Sequence, residues 1–415
     1  MVIPRPQYLD YLIQRRNNGL VKIITGIRRC GKSYLLFNLF VQYLIDNGFS
    51  DDHIIRIELD RKTHMVYRSA EAIIQYVDSR ITDDSEYCLL IDEVQFLEDF
   101  EAVLSDFMRI PNLDCYITGS NSRFLSTDIA TEFRGRGDQI RVTPLSFIEF
   151  SSAFDGSRDD AWEEYMMYGG LPHILKEKSD EDKARYLITL FDEIYTRDII
   201  DRYGIRDEES LGDILNILSS SIGSLTNPRR ISNTFKSKAR KIVSEPTIAS
   251  YLTYLQEAFI INRAQRYDIK GRRYIDTPSK YFFSDIGLRN ARIRFRQHEE
   301  NHIMENILYN DLCRRGYSVD VGVVEVRQQV EGERKAIQLE VDFVATKGNR
   351  KYYLQSALAI DSEEKLNQEV ASLKHVGDSF GKILVVGRKR KPLYNDDGIL
   401  VLGIIDFLLD DTILP

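Results

Sequence analysis

Gly26-Ile27-Arg28-Arg29-Cys30-Gly31-Lys32-Ser33 follows directly on the β-branched run VKIIT at 21–25 and opens a segment with helical apolar spacing, SYLLFNLFVQYLI from Ser33. The octet fits G-x-x-x-x-G-K-[ST], and it stands between a predicted strand and a predicted helix, the context that pattern requires. Glycines let such a loop curl until its backbone N–H groups point inward, and the helix behind it adds a positive N-terminal end. The reading assigns phosphate binding to Gly26, Ile27, Arg28, Arg29, Cys30, Gly31, Lys32 and Ser33, with Tyr34 next in the helix. Lys32 is expected to pair with the β- and γ-phosphates of ATP, and the Ser33 hydroxyl to bind Mg²⁺.

Working outward, β-branched runs at 53–59, 87–92, 113–118 and 138–142 alternate with helical patterns from Ala70 and from Phe100. Strands alternating with helices predict a parallel sheet covered on both faces. The domain is expected to end near Phe150. Tyr87–Asp92 is an apolar strand that closes on Asp92-Glu93. Asp92 is placed to hold the Mg²⁺ through water, and Glu93 to polarise an attacking water. Ser120 or Asn121, after the next strand, is the candidate sensor of the γ-phosphate. Arg134 or Arg136, in FRGRG, is the candidate finger reaching a neighbouring subunit's nucleotide, which predicts a homo-oligomer.

The rest of the chain changes texture. Residues 151–225 read as mostly helical. The stretch 226–273 carries eleven Lys and Arg against three Asp and Glu, in a 415-residue chain whose net charge is −8. A short helix, then SEPTIASYLTYLQEAFII (244–261) with an N-cap serine and an early proline, then a hairpin-like RAQRYDIKGRRYI, give helix, turn, helix and wing. The charge suits a phosphate backbone, so DNA is one expected partner; contact with the chain's own acidic regions is the alternative. Beyond it lie a helix near 300–315, strands near 318–328, 337–345 and 351–357, a helix near 363–375 and a strand at 382–387.

GIRRCGKS, the LLIDEVQ strand end, ITGSNSRFLS, RVTPLSFIEF and YGGLP together resemble the AAA-family ATPases of the archaeal-type and STAND-related group. The resemblance implies an α/β fold: a P-loop sheet domain (1–150), a helical lid (151–225), a winged-helix-like module (226–285) and a restriction-endonuclease-like α+β domain (286–415). It implies that Gly170-Leu171-Pro172 lies near the adenine, with Pro172 among the nucleotide-binding residues. In the tail, Glu305, Asp342 and Gln355 stand where such nucleases hold a metal. Ala357 takes the place of their water-activating lysine, with Lys351 or Lys365 as neighbouring substitutes, so a binding or assembly role is expected before cleavage.

Composition excludes other classes. Apolar residues make up 43% of the chain, and Cys30, Cys88, Cys115 and Cys313 are far apart with no CxxC spacing. A structural zinc or a disulfide framework is therefore not expected. His298 and His302 lack a third partner for a zinc site. No uncharged apolar stretch approaches the roughly 18 residues of a membrane helix, so a cytoplasmic protein without a membrane partner is expected. Three functional readings remain open: an ATPase driving its appended domains, a nucleotide-gated switch with little turnover, and an ATP-controlled nuclease, against which Ala357 argues.

Overall fold

The computed structural model describes residues 2–119, 137–239, 242–297, 299–330 and 333–414. The chain divides into two units, Met1–Pro144 with Glu257–Phe259, and Leu145–Gln256 with Ile260–Pro415. Ser120, Asn121, Arg134, Arg136 and His298 lie outside the described residues.

The first unit is built on five strands: β1 (Val21–Thr25), β2 (Ile54–Glu58), β3 (Tyr87–Asp92), β4 (Leu113–Gly119) and β5 (Gly137–Arg141). They form one sheet in the order β2-β3-β4-β1-β5, with every pairing parallel. Every residue of β1 and of β3 is buried, which is why both are near-continuous apolar runs rather than alternating ones. Val21, Ile23, Leu89, Ile91 and Ile117 pack with Val103, Leu104 and Phe107 of the helix Phe100–Phe107 into one core. The exception inside β1 is Lys22, fully buried, whose ammonium donates to Asp114 on β4. A buried ammonium without such a partner would be strongly unfavourable.

The strand order brings separate parts of the chain together. β4 lies between β1 and β3, so the loop after β1 and the carboxylates after β3 flank the end of β4.

The second unit opens with a helix, Phe147–Ala153, started by a reciprocal capping box. Ser146 Oγ accepts from Glu149 N, and Glu149 Oε2 accepts from Ser146 N at 2.8 Å, satisfying two donors the helix cannot use internally. The YGGLP stretch is set by close approach. Gly169 has φ +73°, and a Cβ at Gly170 would come within 2.2 Å of the Leu145 carbonyl oxygen. Gly170 N–H donates to Asp285 Oδ2 at 2.8 Å, and Asp285 Oδ1 caps the helix Ile286–Arg292 through Leu288 N–H.

Its sheet has eight strands: β6 (Ile261–Asp268), β7 (Arg273–Phe283), β8 (Ser318–Val330), β9 (Glu333–Lys347), β10 (Arg350–Ala357), β11 (Gly381–Val386), β12 (Leu393–Tyr394) and β13 (Leu400–Gly403). Their order is β12-β13-β11-β10-β9-β8-β6-β7, with parallel and antiparallel pairs mixed. The hairpin β6–β7, expected as a wing closing a module at 285, is thus continuous with the tail's sheet. Arg266, Tyr267 and Asp268 pair in parallel with Val321, Gly322 and Val323. β13 and the helix Ile404–Leu409 are additions to the expected elements.

Burial pushes the Asp285 carboxyl up to about 6, although backbone N–H groups of Gly170, Leu288 and Gly287 oppose the shift. A carboxyl raised in the folded state contributes stability that is complete below its unfolded value of 3.8 and is lost as pH rises through about 6. Asp285→Asn removes that titration. Urea unfolding of both proteins at pH 4.5 and 7.5 is expected to show wild type losing ground to the variant at the higher pH.

Candidate nucleotide site

The loop between β1 and the following helix holds three residues at positive φ: Gly26 (147°), Arg29 (67°) and Gly31 (102°). Gly26 admits no side chain, because a Cβ there would lie 2.1 Å from the Val142 carbonyl oxygen. Lys32 is 5% exposed, and its ammonium donates to the carbonyl oxygens of Gly26 and Ile27 at 3.0 and 3.1 Å. The loop therefore folds around its own lysine. Tyr34, at the start of the helix, is 40% exposed.

Asp92 gathers the rest. Its Oδ1 accepts from Ser33 Oγ at 3.0 Å and from the Thr118 hydroxyl at the end of β4. Burial pushes the Asp92 carboxyl above its ordinary range, Glu93 and Asp60 push the same way, and the hydrogen bonds from Thr118 and Ser33 oppose them. Glu93 takes a left-handed backbone, φ 53°, uncommon outside glycine and a form of strain that clusters at functional sites. Its N–H donates to Thr118 Oγ1 at 3.0 Å, its carbonyl accepts from Phe96 N–H at 3.1 Å, and Gln95 Nε2 donates to its Oε2.

Ser33 and Asp92 are brought into hydrogen-bond contact, with Glu93 next in the chain, while Lys32 bonds within its own loop. Thr118 and Gln95 are additions that the sequence patterns do not single out; a signal for Thr118 exists, a hydroxyl at the end of an apolar strand beside the Asp92 strand. Pro172 belongs to the other unit, where it begins a short helical turn, Pro172–Lys176.

The donor set suits a magnesium ion. A hydroxyl and a carboxylate, both hard oxygen donors, lie side by side beneath a loop whose N–H groups and lysine complement phosphate. The lysine ties its loop together from the inside, and the carboxylate after the strand ties loop to sheet.

A family model described as an AAA domain matches residues 18–151, and one described as a domain of unknown function matches residues 159–299. An uncharacterized protein of Haemophilus influenzae is 35% identical over 98% of this chain and 99% of its own length. Another, from Methanocaldococcus jannaschii, is 26% identical over 93% of this chain and 85% of its own. The chain belongs to the same family as the Haemophilus influenzae protein, and its residues 18–151 form an AAA domain of P-loop type. Among solved structures, Orc1 of Aeropyrum pernix in complex with DNA covers 70% of this chain and 92% of itself at 14% identity, with a TM-score of 0.29. Cdc6p of Pyrobaculum aerophilum covers 74% and 96% at 15% identity, with a TM-score of 0.30. Neither likeness is strong enough to place a residue.

The tail's carboxylates have a different arrangement. Glu305 and Asp342 converge with Glu340 not on a metal position but on Lys280 of β7, whose ammonium lies 2.7, 3.9 and 2.7 Å from their respective oxygens. Burial lowers the Lys280 pKa, but the three carboxylates outweigh it and hold the ammonium above its ordinary value. Burial, with the Glu305 charge, pushes Asp342 up to about 7. Gln355 turns away: its Oε1 accepts from Asp342 N–H and from Ser372 Oγ. Among the described residues no group of three or more His, Cys, Asp or Glu is arranged to hold a metal ion.

Removing the lysine would strand Glu305 and Asp342, which are 5% and 8% exposed. Lys280→Met is expected to cost about 3–5 kcal/mol, the scale for breaking a buried ion pair from one side. Chemical denaturation followed by circular dichroism measures it.

Proposed function

We propose that the protein hydrolyses ATP with Mg²⁺ and uses its nucleotide state to control DNA or protein binding by the second unit. The observation carrying this reading is the convergence of Ser33 and Thr118 on Asp92, beside a Glu93 held in a strained backbone by its own contacts. A binding loop alone would need no such carboxylate.

In this reading the loop's N–H groups and Lys32 bind the phosphate chain, and Ser33 and Asp92 hold the magnesium. The ion, when bound, withdraws charge from the phosphate oxygens. Glu93 accepts the proton of a water aligned with the γ-phosphate, and Gln95 fixes the direction of its carboxylate. Thr118, between metal carboxylate and base, keeps the two in register. Ser120 or Asn121 as γ-phosphate sensor, Arg134 or Arg136 as a finger within a homo-oligomer, and Pro172 beside the adenine complete the proposal.

The basic stretch supports nucleic acid only in part. Lys270 donates to the Glu325 carbonyl and Arg263 to the Asp276 carbonyl, so some of its charge is used internally. Arg230, though exposed, likewise donates to the Leu225 carbonyl; Arg229, Lys236 and Arg272 are exposed and are the residues proposed to meet a phosphate backbone. No helix among the described residues is long and apolar enough to cross a membrane, and the proposed setting is the cytoplasm.

Steady-state ATP hydrolysis with and without duplex DNA at fixed low salt tests the scheme. Lys32→Ala is expected to weaken ATP binding. Glu93→Gln is expected to bind ATP as wild type does and to lose turnover by about a hundredfold or more, the usual scale for a general base. Normal turnover in Glu93→Gln removes that role; tight binding without turnover in wild type favours a nucleotide-gated switch.

A further inference from the structure

Arg5 stands outside the octet, twenty-one residues before Gly26, yet it is only 5% exposed. It is the N-cap of the helix Pro6–Gln14, and its carbonyl accepts from Tyr8 and Leu9 N–H, so its backbone is fixed by that helix. Its guanidinium lies over the Tyr8 ring, 4.6 Å from the centroid. Two of its nitrogens reach different segments: Nη1 donates to the Cys30 carbonyl at 3.2 Å, and Nη2 to the Thr143 carbonyl at 2.9 Å.

The first of these bonds has a consequence for the phosphates. The carbonyl of Cys30 and the N–H of Gly31 share one planar trans peptide, so they point in opposite directions. A donor that holds the carbonyl on the outer side of the loop turns the Gly31 N–H toward the inner side. Gly31 sits at φ 102°, where a glycine backbone has little intrinsic resistance to rotation, so this peptide needs an external anchor. The second bond supplies a rigid footing, since Thr143 follows β5 and is also held by Tyr8: the Tyr8 hydroxyl lies 2.7 Å from Thr143 Oγ1 and accepts from Thr143 N–H.

The geometry points to Arg5 as a positioning residue for the phosphate chain of the nucleotide, acting through the Cys30–Gly31 peptide. A fork of two donors in one plane suits arginine and not lysine, whose ammonium is a single point. The inference rests on the nucleotide reading of the loop, and it adds an N-terminal element to that site.

The test titrates MgADP into wild type, Arg5→Met, Arg5→Lys, Tyr8→Phe and Lys32→Ala, and follows the Gly31 amide in ¹⁵N-glycine-labelled protein. Arg5→Met is expected to weaken MgADP at least about tenfold, the scale of a lost hydrogen bond from a charged group. Its Gly31 amide is expected to lose most of the nucleotide-induced shift. Arg5→Lys should fall between it and wild type, and Tyr8→Phe, which keeps the Cys30 bond but loses part of the footing at Thr143, should lose less than Arg5→Met. Unchanged MgADP affinity in Arg5→Met, with Lys32→Ala impaired, overturns the inference. So does an equal loss in Tyr8→Phe, which would mean general loosening of the N-terminal helix. If wild type binds no MgADP, or Lys32→Ala binds it unimpaired, the nucleotide reading itself fails.

Discussion

One carboxylate oxygen ties the first unit together. Asp92 Oδ1 accepts hydrogen bonds from Ser33, after β1, and from Thr118, at the end of β4. Those residues meet because β4 lies between β1 and β3; were β1 and β3 neighbours, no strand end would supply a hydroxyl between loop and carboxylate. Taking a carboxylate almost wholly out of water is costly, and two hydroxyl donors offset part of that cost. The same Thr118 oxygen then accepts the Glu93 N–H, so the arrangement that anchors the Asp92 carboxylate also sets the backbone of the next residue.

The second unit handles buried carboxylates differently. Glu305, Glu340 and Asp342 face an internal cation, the Lys280 ammonium. A covalently attached ammonium cannot exchange with solvent ions, so the cluster behaves as a structural lock between β7, β9 and the helix Glu300–Arg314. The Asp92 carboxylate is instead met by two neutral hydroxyls, those of Ser33 and Thr118. Similar residue types thus behave differently in the two units, and the difference lies in what faces the carboxylate.

Much of this is legible in the sequence. The five strands of the first sheet are readable because strands buried on both faces must be apolar and β-branched along their whole length. The meeting of the octet with the strand end at Asp92 is readable because the pattern restricts residue type and its place between strand and helix together. Thr118 is easily passed over because a threonine before Gly-Ser-Asn is also ordinary turn chemistry. Lys280 cannot be assigned from sequence, since its partners lie 25 or more residues away and nothing local marks a lysine in a strand as buried. Arg5 escapes for the same reason: its partners Cys30 and Thr143 lie 25 and 138 residues along the chain. The double glycine of YGGLP reads as a helix break or a nucleotide motif. In the structure, the close approach of Leu145 and Asp285 is enough to require both glycines.

The pairing of β6 with β8 also bears on how such a chain can be taken apart. A cut after the hairpin would strip β8 from β6 and leave its N–H and C=O groups facing water along a ready-made edge, the kind of surface on which chains stack into aggregates. The charged stretch and the tail are therefore not separate cassettes. A chain ending between β7 and β8 would be an adhesive fragment, with β6 keeping its edge and lacking the strand that covers it.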